Sequence, residues 1–468
     1  MHGENETGSR MRIRLLAAAM SVPMLAGAAP GAAPAAAPWW ASSIVQTNDD
    51  GAVSVAPTTD NGCALAGYIR EPNAYWSDDF FVVRLDSKGT IKWQESIGEG
   101  QYTKQVASAI QQTKDGGYIM SGWGYSNYNS WYDAWLFKLD STGKITWQKR
   151  FGGSGRDDAL SVQQTKDSGY IVAGTTDYYS NGDYDLWLLK FDKSGAITWQ
   201  KKYGTRTDDI YAYSVQQTKD GGYIVTGQLT GKVGTAYVYD ALLMKLDATG
   251  AVTWQTRFGG KKTDIAKSVK QAKDGGYIVA GQTYSYGAGK SDAWVVKFDW
   301  AGAIVWQKAL GGTSDDDARS VQVTADGNYV VAGMYKVSGQ YVDAWLFKLD
   351  KNGNVLWQKK TGGSGPDAAN SVNVTKDQSI LLAGYSSSYG SGNPDSFVCR
   401  FDKNGAIDDA CTIYVDTTAV AVDTTAVATA YTAVAGDTFA QPTTTTATAT
   451  PTTATVTTVC TSVTSPVE

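Results

Sequence analysis

The sequence predicts an all-β fold made of seven copies of one four-stranded antiparallel unit. The pattern Asp-x-(Trp/Phe/Leu)-x-x-(Lys/Arg)-(Leu/Phe)-Asp recurs at steps of 54, 52, 55, 52, 51 and 52 residues, and its copies begin at Asp79, Asp133, Asp185, Asp240, Asp292, Asp343 and Asp395. The chain also has 51 Gly, 27 Tyr and 16 Trp in 468 residues. A fixed period of this length, with abundant turn glycines and aromatic residues, is typical of a repeat architecture.

Each unit contains four short runs with strand character, which we name a, b, c and d. In the third repeat they cover 159–165, 169–175, 185–192 and 196–204, and each is rich in β-branched and aromatic residues. Lys-Asp-Gly-Gly or Lys-Asp-Ser-Gly joins a to b, and Asp-x-x-Gly joins c to d, as tight hairpin links. Four-stranded antiparallel units at this spacing predict the blades of a seven-bladed β-propeller.

The ends of the repeat region predict how the ring closes. The strand-b motif, for example 167–174, occurs seven times, but only six units contain a strand-d tryptophan. Trp40 lies 15 residues before Val55, just as Trp147 lies 15 residues before Val162. We therefore expect an N-terminal strand at Trp40 to complete the last blade, which removes exposed sheet edges. The alternative is an open stack capped by 404–414.

The two ends of the chain differ in composition from the repeats, which occupy 39–411. Residues 1–38 contain Arg10, Arg12 and Arg14 before an apolar run and small-residue cleavage sites, as in a signal peptide and leader. We therefore expect a secreted or cell-surface protein, or a periplasmic one. Residues 412–468 are rich in Thr, Ala and Pro, which predicts a disordered tail or a stalk.

Charge, histidine and cysteine content limit the partners and the kinds of site that the sequence predicts. The formal net charge is −5, without a run of Lys and Arg, which excludes a nucleic-acid partner. The apolar run in 1–38 is too short and too broken to predict a transmembrane span, and we expect a monomer. The only histidine is His2, so the mature chain has none for a catalytic triad. The four cysteines fit no zinc pattern and their pairing stays open: Cys63, Cys399, Cys411 and Cys460.

The turn and strand d together form the pattern (Leu/Phe)-Asp-x-x-Gly-x-(Ile/Val)-x-Trp-Gln, as in LDSTGKITWQ and FDKSGAITWQ. This pattern resembles the tryptophan-docking repeat of quinoprotein dehydrogenase propellers and of outer-membrane assembly lipoproteins. Over about 40–410, the whole unit resembles the tandem propeller repeats of secreted bacterial and archaeal surface proteins. The resemblance implies the fold, and its quinoprotein branch implies a quinone-dependent dehydrogenase as an alternative function. Seven blades and the lack of an adjacent cysteine pair count against that alternative.

Two sets of recurring residues have structural interpretations. The strand-d tryptophans are expected to pack between neighbouring blades: Trp40, Trp93, Trp147, Trp199, Trp254, Trp306 and Trp357. An aspartate recurs in the link from strand d to the next strand a, at Asp50, Asp157, Asp209, Asp264, Asp316 and Asp367. It would either cap its own loop or contribute to an incomplete acidic ring suited to Ca²⁺. No other cofactor is predicted.

The b–c loops vary between repeats, and functional residues concentrate in such loops. They are rich in Tyr, Trp, Asn, Ser and Gly, a composition typical of binding surfaces. The candidate ligand-binding residues cluster in the first three repeats: Trp76, Trp123, Tyr125, Tyr128, Trp131, Tyr178, Tyr179 and Tyr184. They would bind an extracellular glycan or protein, or else only cover the blade edges.

These features predict an exported, non-catalytic propeller that serves in binding, adhesion or scaffolding. A glycoside hydrolase is an alternative to the dehydrogenase, because that chemistry needs two carboxylates about 5–10 Å apart. Candidate carboxylates lie in the loops around the third repeat: Asp157, Asp158, Asp177, Asp183, Asp208 and Asp209. Aspartate is common in all these turns, so its presence discriminates poorly.

Overall fold

A computed structural model describes most of the repeat region and parts of the tail. The described residues are 40–45, 49–70, 77–98, 103–125, 131–177, 184–204, 208–233, 236–389 and 393–407, with the backbone of six short segments between 414 and 461. The predicted signal peptide lies outside them. The described residues contain no helix long and apolar enough to cross a membrane.

The first three repeats follow one strand at the N-terminus, β1 (Trp40–Val45). Repeat 1 has β2 (Asp50–Pro57), β3 (Cys63–Arg70), β4 (Asp78–Leu85) and β5 (Ile91–Gly98). Repeat 2 has β6 (Lys104–Gln112), β7 (Tyr118–Tyr125), β8 (Asp133–Leu139) and β9 (Ile145–Phe151). Repeat 3 has β10 (Asp157–Gln164), β11 (Tyr170–Thr176), β12 (Asp185–Phe191) and β13 (Ile197–Gly204).

The remaining repeats have the same order of strands. Repeat 4 has β14 (Ile210–Gln217), β15 (Tyr223–Val233), β16 (Ala236–Leu246) and β17 (Val252–Gly259). Repeat 5 has β18 (Asp264–Gln271), β19 (Tyr277–Thr283), β20 (Asp292–Phe298) and β21 (Ile304–Gly311). Repeat 6 has β22 (Asp317–Val323), β23 (Tyr329–Lys336), β24 (Val342–Leu349) and β25 (Val355–Thr361). Repeat 7 has β26 (Asp367–Val374), β27 (Ile380–Ser386) and β28 (Asp395–Phe401).

Within each repeat the strands pair antiparallel in chain order, as the hairpin links predict. Repeats 3, 4, 5 and 6 each form their own sheet. Repeats 1 and 2 belong to one nine-stranded sheet, joined by a single parallel pair, Asp78 with Lys104. Strand a has a register shift in every repeat, for example between Ala159 and Ser161, where one extra residue bends the strand.

The first strand completes the last sheet. β1 pairs antiparallel with β28, with Trp40 opposite Arg400 and Ile44 opposite Ser396, and the sheet order is β26-β27-β28-β1. The predicted closure through Trp40 is confirmed. A closed ring of such sheets is consistent with a β-propeller, which leaves few sheet edges exposed.

The hydrophobic core consists of layers between neighbouring sheets. One layer joins Leu186 and Leu188 of repeat 3 to Val225 and Leu242 of repeat 4. The layer between the last and first repeats joins residues 381 and 398 to residues 65 and 81 in the same way. Each sheet therefore buries both faces against its neighbours, which explains why strands b and c are almost entirely apolar.

A buried Lys or Arg side chain on strand c stabilises each a–b turn. This side chain is at most 8% exposed and forms an ion pair with the turn aspartate of the same repeat. The pairs are Arg84–Asp60, Lys138–Asp115, Lys190–Asp167, Lys245–Asp220, Lys297–Asp274, Lys348–Asp326 and Arg400–Asp377. The Lys190 ammonium also donates to the Phe191 carbonyl at 2.9 Å. The recurring Lys or Arg of the sequence pattern is thus structural.

Six short strands lie in the tail: β29 (Tyr414–Asp416), β30 (Val420–Asp423), β31 (Val427–Ala430), β32 (Val434–Asp437), β33 (Thr448–Pro451) and β34 (Thr455–Thr461). Each pairs antiparallel with the outer strand of one repeat. This finding differs from the disordered tail or stalk that composition predicts for 412–468. An outer edge strand offers unpaired backbone groups to any extended segment, whatever its side chains. The other residues of that range lie outside the described part.

Candidate functional site

The b–c loops and the d–a links come together on one face of the molecule. The Asp157 amide donates to the Tyr132 carbonyl at 2.7 Å, and the Ile210 amide donates to the Tyr184 carbonyl at 2.7 Å. Across the closure, the Asp50 amide donates to the Pro394 carbonyl at 2.8 Å. The described end of each of these b–c loops therefore joins the start of the next strand a, and these junctions form a rim on one face.

Four of the d–a aspartates are buried and cap their own loops. The Asp157 carboxylate accepts the Gly153 amide at 2.7 Å and the Thr176 hydroxyl. The Asp264 carboxylate accepts the Gly260 amide at 2.7 Å, and the Asp316 carboxylate accepts the Gly312 amide at 2.7 Å. The Asp367 carboxylate likewise accepts bonds from the loop of its repeat. This arrangement favours the loop-capping interpretation.

Burial changes the acidity of these carboxylates. It raises the pKa of Asp50 to about 8, of Asp157 to about 7 and of Asp316 to about 6. It also raises the pKa of Asp264 and Asp367. Among the described residues, no group of three or more His, Cys, Asp or Glu side chains is arranged to hold a metal ion. The described part of the face thus contains separate buried carboxyls, most of them bonded within their own repeat, whereas Asp50 accepts the Ser396 amide across the closure at 2.8 Å.

Asp209 does not occupy the position in its repeat that Asp157 occupies in repeat 3, although the sequence predicts that the two are equivalent. Ala159 pairs with Gly174 in repeat 3, and Ala212 pairs with Gly227 in repeat 4. Counting back two residues from Ala212 places Ile210, not Asp209, at the capping position. Asp209 instead accepts the Tyr184 amide at 3.2 Å. One additional residue between the aspartate and strand a accounts for the shift.

A first aromatic cluster lies where repeat 2 meets repeat 3. The Trp123 and Tyr132 rings meet edge to face at 4.7 Å, and Tyr125 lies 5.4 Å from Tyr132. The Lys104 ammonium lies 5.9 Å from the Trp123 ring centroid, and the Arg156 guanidinium lies 5.2 Å from that of Tyr132. These rings pack mainly on each other and on cations, as the edge-covering alternative expects. Next to them, Trp131 is 58% exposed.

A second cluster lies further along the rim. Tyr184 of repeat 3 stacks on Tyr211 of repeat 4 at 5.3 Å with an interplanar angle of 28°. Tyr239 meets Tyr211 edge to face at 6.3 Å. Burial raises the pKa of Tyr211, and the nearby Asp209 acts in the same direction, so its hydroxyl stays protonated. The cluster therefore combines partly buried rings with hydroxyl groups that can donate hydrogen bonds.

Beside this cluster is an open groove of about 670 Å³. Its lining consists of Tyr211, Tyr213, Gln228, Val238, Tyr239, Lys261, Lys262, Thr263, Ile265 and Tyr284. These residues come from strands a and b and the b–c hairpin of repeat 4, and from the d–a link, strand a and the b–c loop of repeat 5. The side chains that line the groove include four tyrosines, the amide of one glutamine, the hydroxyl of one threonine and two lysine ammonium groups, but no carboxylate.

The structure brings together only some of the ligand-binding residues that the sequence predicts. Trp76, Tyr128, Tyr178 and Tyr179 lie outside the described residues. Trp123, Tyr125 and Trp131 belong to or flank the first cluster, and Tyr184 belongs to the second. Tyr211 and Tyr213 were not predicted, because they lie in strand a. The sequence feature that could have identified them is that repeat 4 has tyrosines where repeat 3 has Asp158 and Leu160.

The strand-d tryptophans lie between repeats, away from the groove. Each contacts the c–d turn glycine of the next repeat, as in the pairs Trp40–Gly89, Trp93–Gly143, Trp147–Gly195, Trp199–Gly250, Trp254–Gly302, Trp306–Gly353 and Trp357–Gly405. The turn glycine has a left-handed conformation, with φ of 80° at Gly89, and an added Cβ there would come within 2.9 Å of the Trp40 ring. The close approach of the tryptophan ring thus explains why the repeated pattern has a glycine at this turn position.

Two sequence comparisons give coarse relationships. A family profile described as "Domain of unknown function (DUF5122) beta-propeller" matches residues 376–410. The regulatory protein FlaEY of Caulobacter vibrioides is 27% identical over 249 residues, which is 47% of this chain and 25% of that protein. The chain thus spans about a quarter of the length of this relative.

The solved structures to which the chain shows some similarity are varied proteins. Sqt1 from Chaetomium thermophilum has a TM-score of 0.43 at 12% identity, covering 74% of this chain and 82% of that one. The Pan2 WD40 domain from Neurospora crassa has a TM-score of 0.46 at 12% identity, covering 75% and 88%. A protein of unknown function from Dyadobacter fermentans has a TM-score of 0.42 at 12% identity, covering 68% and 95%. With its repeated sheets and the family match, the chain is a β-propeller built from repeated blades.

Proposed function

We propose that this chain is an exported, non-catalytic, seven-bladed propeller that binds a glycan chain on its b–c face. The seven strand-b motifs support the blade count, as does the single pair that joins repeats 1 and 2 within their common sheet. The composition of residues 1–38 supports export.

The observation that carries the binding proposal is the tyrosine-lined groove between repeats 4 and 5. Tyrosine rings provide a large apolar surface for the C–H faces of a sugar, and their hydroxyls provide hydrogen bonds. Gln228, Lys262 and Thr263 add polar groups that would orient a ligand. A rigid ring of sheets holds these loops, so little order would have to be gained on binding.

The lining of the groove also supports binding without hydrolysis. Glycoside hydrolysis normally needs two carboxyl groups on either side of the scissile bond. None of the ten lining residues is Asp or Glu. The carboxyl of Asp264, a sequence neighbour of two lining residues, is occupied by hydrogen bonds from the Gly260 amide and the Ser285 hydroxyl. The groove is therefore suited to retaining a sugar chain rather than cleaving it.

A glycan array with the purified full chain tests this proposal. The informative variant is Tyr239→Ala, because Tyr239 lines the groove and contacts Tyr211. The matched control is Trp300→Ala, which removes a 73% exposed aromatic side chain from a c–d turn. We expect specific glycan signals that Tyr239→Ala removes and Trp300→Ala retains. Absence of glycan binding, or binding only to a protein partner, would overturn the proposal.

A further inference from the structure

The tail strands follow the outer edge of the ring in a fixed order. β29 pairs with β25, β30 with β21, β31 with β17 and β32 with β13, so the tail passes repeats 6, 5, 4 and 3 in turn. β33 pairs with β5 of repeat 1, and β34 pairs with β1 in the last sheet. The described tail strands therefore follow the ring in the direction opposite to the order of the repeats.

The spacing of these pairings is one unit of seven residues per repeat. The position to compare is the one two residues after the tryptophan of each strand d. The tail residues that pair with this position are, in turn, Asp416, Asp423, Ala430, Asp437, Pro451 and Thr458. Consecutive members differ by seven, except for the step from Asp437 to Pro451, which is twice seven. The sequence has the same period, because alanine recurs at 419, 426, 433, 440, 447 and 454.

Charges along the tail match the outer strands they face. Asp416 stands opposite Lys359, Asp423 opposite Lys308, and Asp437 opposite Lys201. These three are the only acidic residues between 414 and 461. In the other three pairs at this position the outer strand has no lysine and the facing tail residue is uncharged: Ala430–Thr256, Pro451–Glu95 and Thr458–Ser42. Opposite charges directly across an antiparallel pair stabilise it, so charge favours the same register as the spacing.

From the period, the register and the charge matching together, we propose that the outer edges of the blades form a strand-binding surface whose partner is this chain's own tail strands, β29 to β34. Each of these strands adds to the outer edge of one sheet, and an aspartate favours the observed register opposite Lys359, Lys308 and Lys201. We name the six strands β29 to β34 the belt. Backbone hydrogen bonds supply the affinity, as in other cases of β-strand addition.

The belt also protects the ring. Outer strands are the edges through which propeller sheets would otherwise pair with other chains. The last belt strand pairs with β1, which itself closes the ring, with Ala41 opposite Cys399 on one side and Cys460 on the other. The closing strand is therefore held from both sides, and release of the belt would expose it.

Cysteine cross-linking in the full chain tests the register. In a background with Cys411→Ser and Cys460→Ser, the matched pairs are Asp423→Cys with Lys308→Cys and Asp437→Cys with Lys201→Cys. The controls shift the tail position by one residue, with Val422→Cys or Gly436→Cys, because a one-residue shift in register moves a residue to the other face of a sheet. We expect an intramolecular disulfide at least ten times more abundant in each matched pair than in its control. Equal yields, or disulfides only between two chains, would overturn the proposal.

Charge reversal provides a second test. The triple variant Asp416→Lys, Asp423→Lys and Asp437→Lys should increase the rate of tail cleavage by thermolysin several-fold. Adding Lys359→Asp, Lys308→Asp and Lys201→Asp restores the three pairs with opposite polarity and should return the rate toward that of the wild type. If the combined variant is cleaved as fast as the triple variant, charge does not set the register and the proposal fails.

Discussion

The Ser371 hydroxyl accepts a hydrogen bond from the Val55 amide at 3.1 Å, across a sequence separation of 316 residues. This bond joins strand a of repeat 7 to strand a of repeat 1. The same bond links other neighbours around the ring, in the pairs Ser54–Ile110, Ser161–Val215, Ser214–Val269, Ser268–Val321 and Ser320–Val372. Repeat 2 has Ala109 at this position, so the bond from repeat 2 to repeat 3 cannot form.

Ala109→Ser should therefore stabilise the protein by supplying the missing bond. A net gain of about 1 kcal/mol is typical for such a hydrogen bond. Urea unfolding at equilibrium measures the change in the free energy of unfolding. The control is Ala107→Ser, which places a hydroxyl at a fully buried position in the same strand and should destabilise. A decrease in stability for Ala109→Ser would contradict the proposed role of the serines.

Trp40→Ala tests the importance of the closing strand. The Trp40 side chain is 1% exposed, and its indole N–H donates to the Ser87 carbonyl of repeat 1 at 3.0 Å. Truncation should cost about 3–5 kcal/mol, as is typical of a buried tryptophan. The control Trp300→Ala, at an exposed position, should change the stability by less than about 0.5 kcal/mol. Equal effects of the two substitutions in thermal unfolding would show that closure through Trp40 contributes little.

Lys190→Met should destabilise repeat 3. It removes the ion pair with Asp167 and the bond to the Phe191 carbonyl, while keeping a long apolar side chain. Because the carbonyl is buried, we expect a loss of about 1–3 kcal/mol, measured by urea unfolding. Lys193→Met is the control, since Lys193 is exposed in the next turn. An unchanged stability for Lys190→Met would mean that the strand-c cation does not hold the a–b turn.

Thermal stability should be greatest at mildly acidic pH. Burial raises the pKa of Asp50 to about 8 and of Asp157 to about 7 in the folded state. The folded protein thus holds these protons more tightly than the unfolded chain, so this contribution to stability is fully present below about pH 4 and is lost as pH rises from there through 7 and 8. For Asp167, partial burial opposes the effect of hydrogen bonds from Thr165 and Lys190, but the pKa is lowered to about 2. Its contribution is present above about pH 4 and is lost as pH falls toward 2.

Melting temperatures measured from pH 3 to pH 9 check this expectation. The wild type should reach its maximum at about pH 4. The double variant Asp50→Asn and Asp157→Asn removes both titrations and should flatten the decline between about pH 4 and pH 8. A wild-type melting temperature that rises steadily up to pH 8 would show that the two carboxyls are not held protonated.

The sequence predicted those parts of the fold that depend on a repeated local pattern. Trp40 could be assigned because its spacing to Val55 copies that of Trp147 to Val162. The position of Asp209 could not be assigned, because two adjacent aspartates there resemble 157–158, and only the pairing of Ala212 with Gly227 reveals the extra residue. The groove was missed for a related reason, since Tyr211 belongs to a strand and not to a loop.

The belt was missed because its order depends on a partner surface. Thr- and Ala-rich segments bury too little apolar area to fold alone, so their composition predicts no independent structure. Their hydrogen-bond partners are the outer strands, which are distant in sequence. The seven-residue recurrence of alanine from 419 to 454 is a signal that sequence inspection could have found.

Titration calorimetry with the strongest ligand from the glycan array tests the proposed function most directly. Tyr211 is the informative position, since its ring lines the groove and contacts both Tyr184 and Tyr239. We predict that Tyr211→Ala weakens binding at least tenfold, while Trp300→Ala binds as the wild type does and both variants keep the wild-type melting temperature within a few degrees. Wild-type affinity in Tyr211→Ala would contradict the assignment of the groove as the binding site.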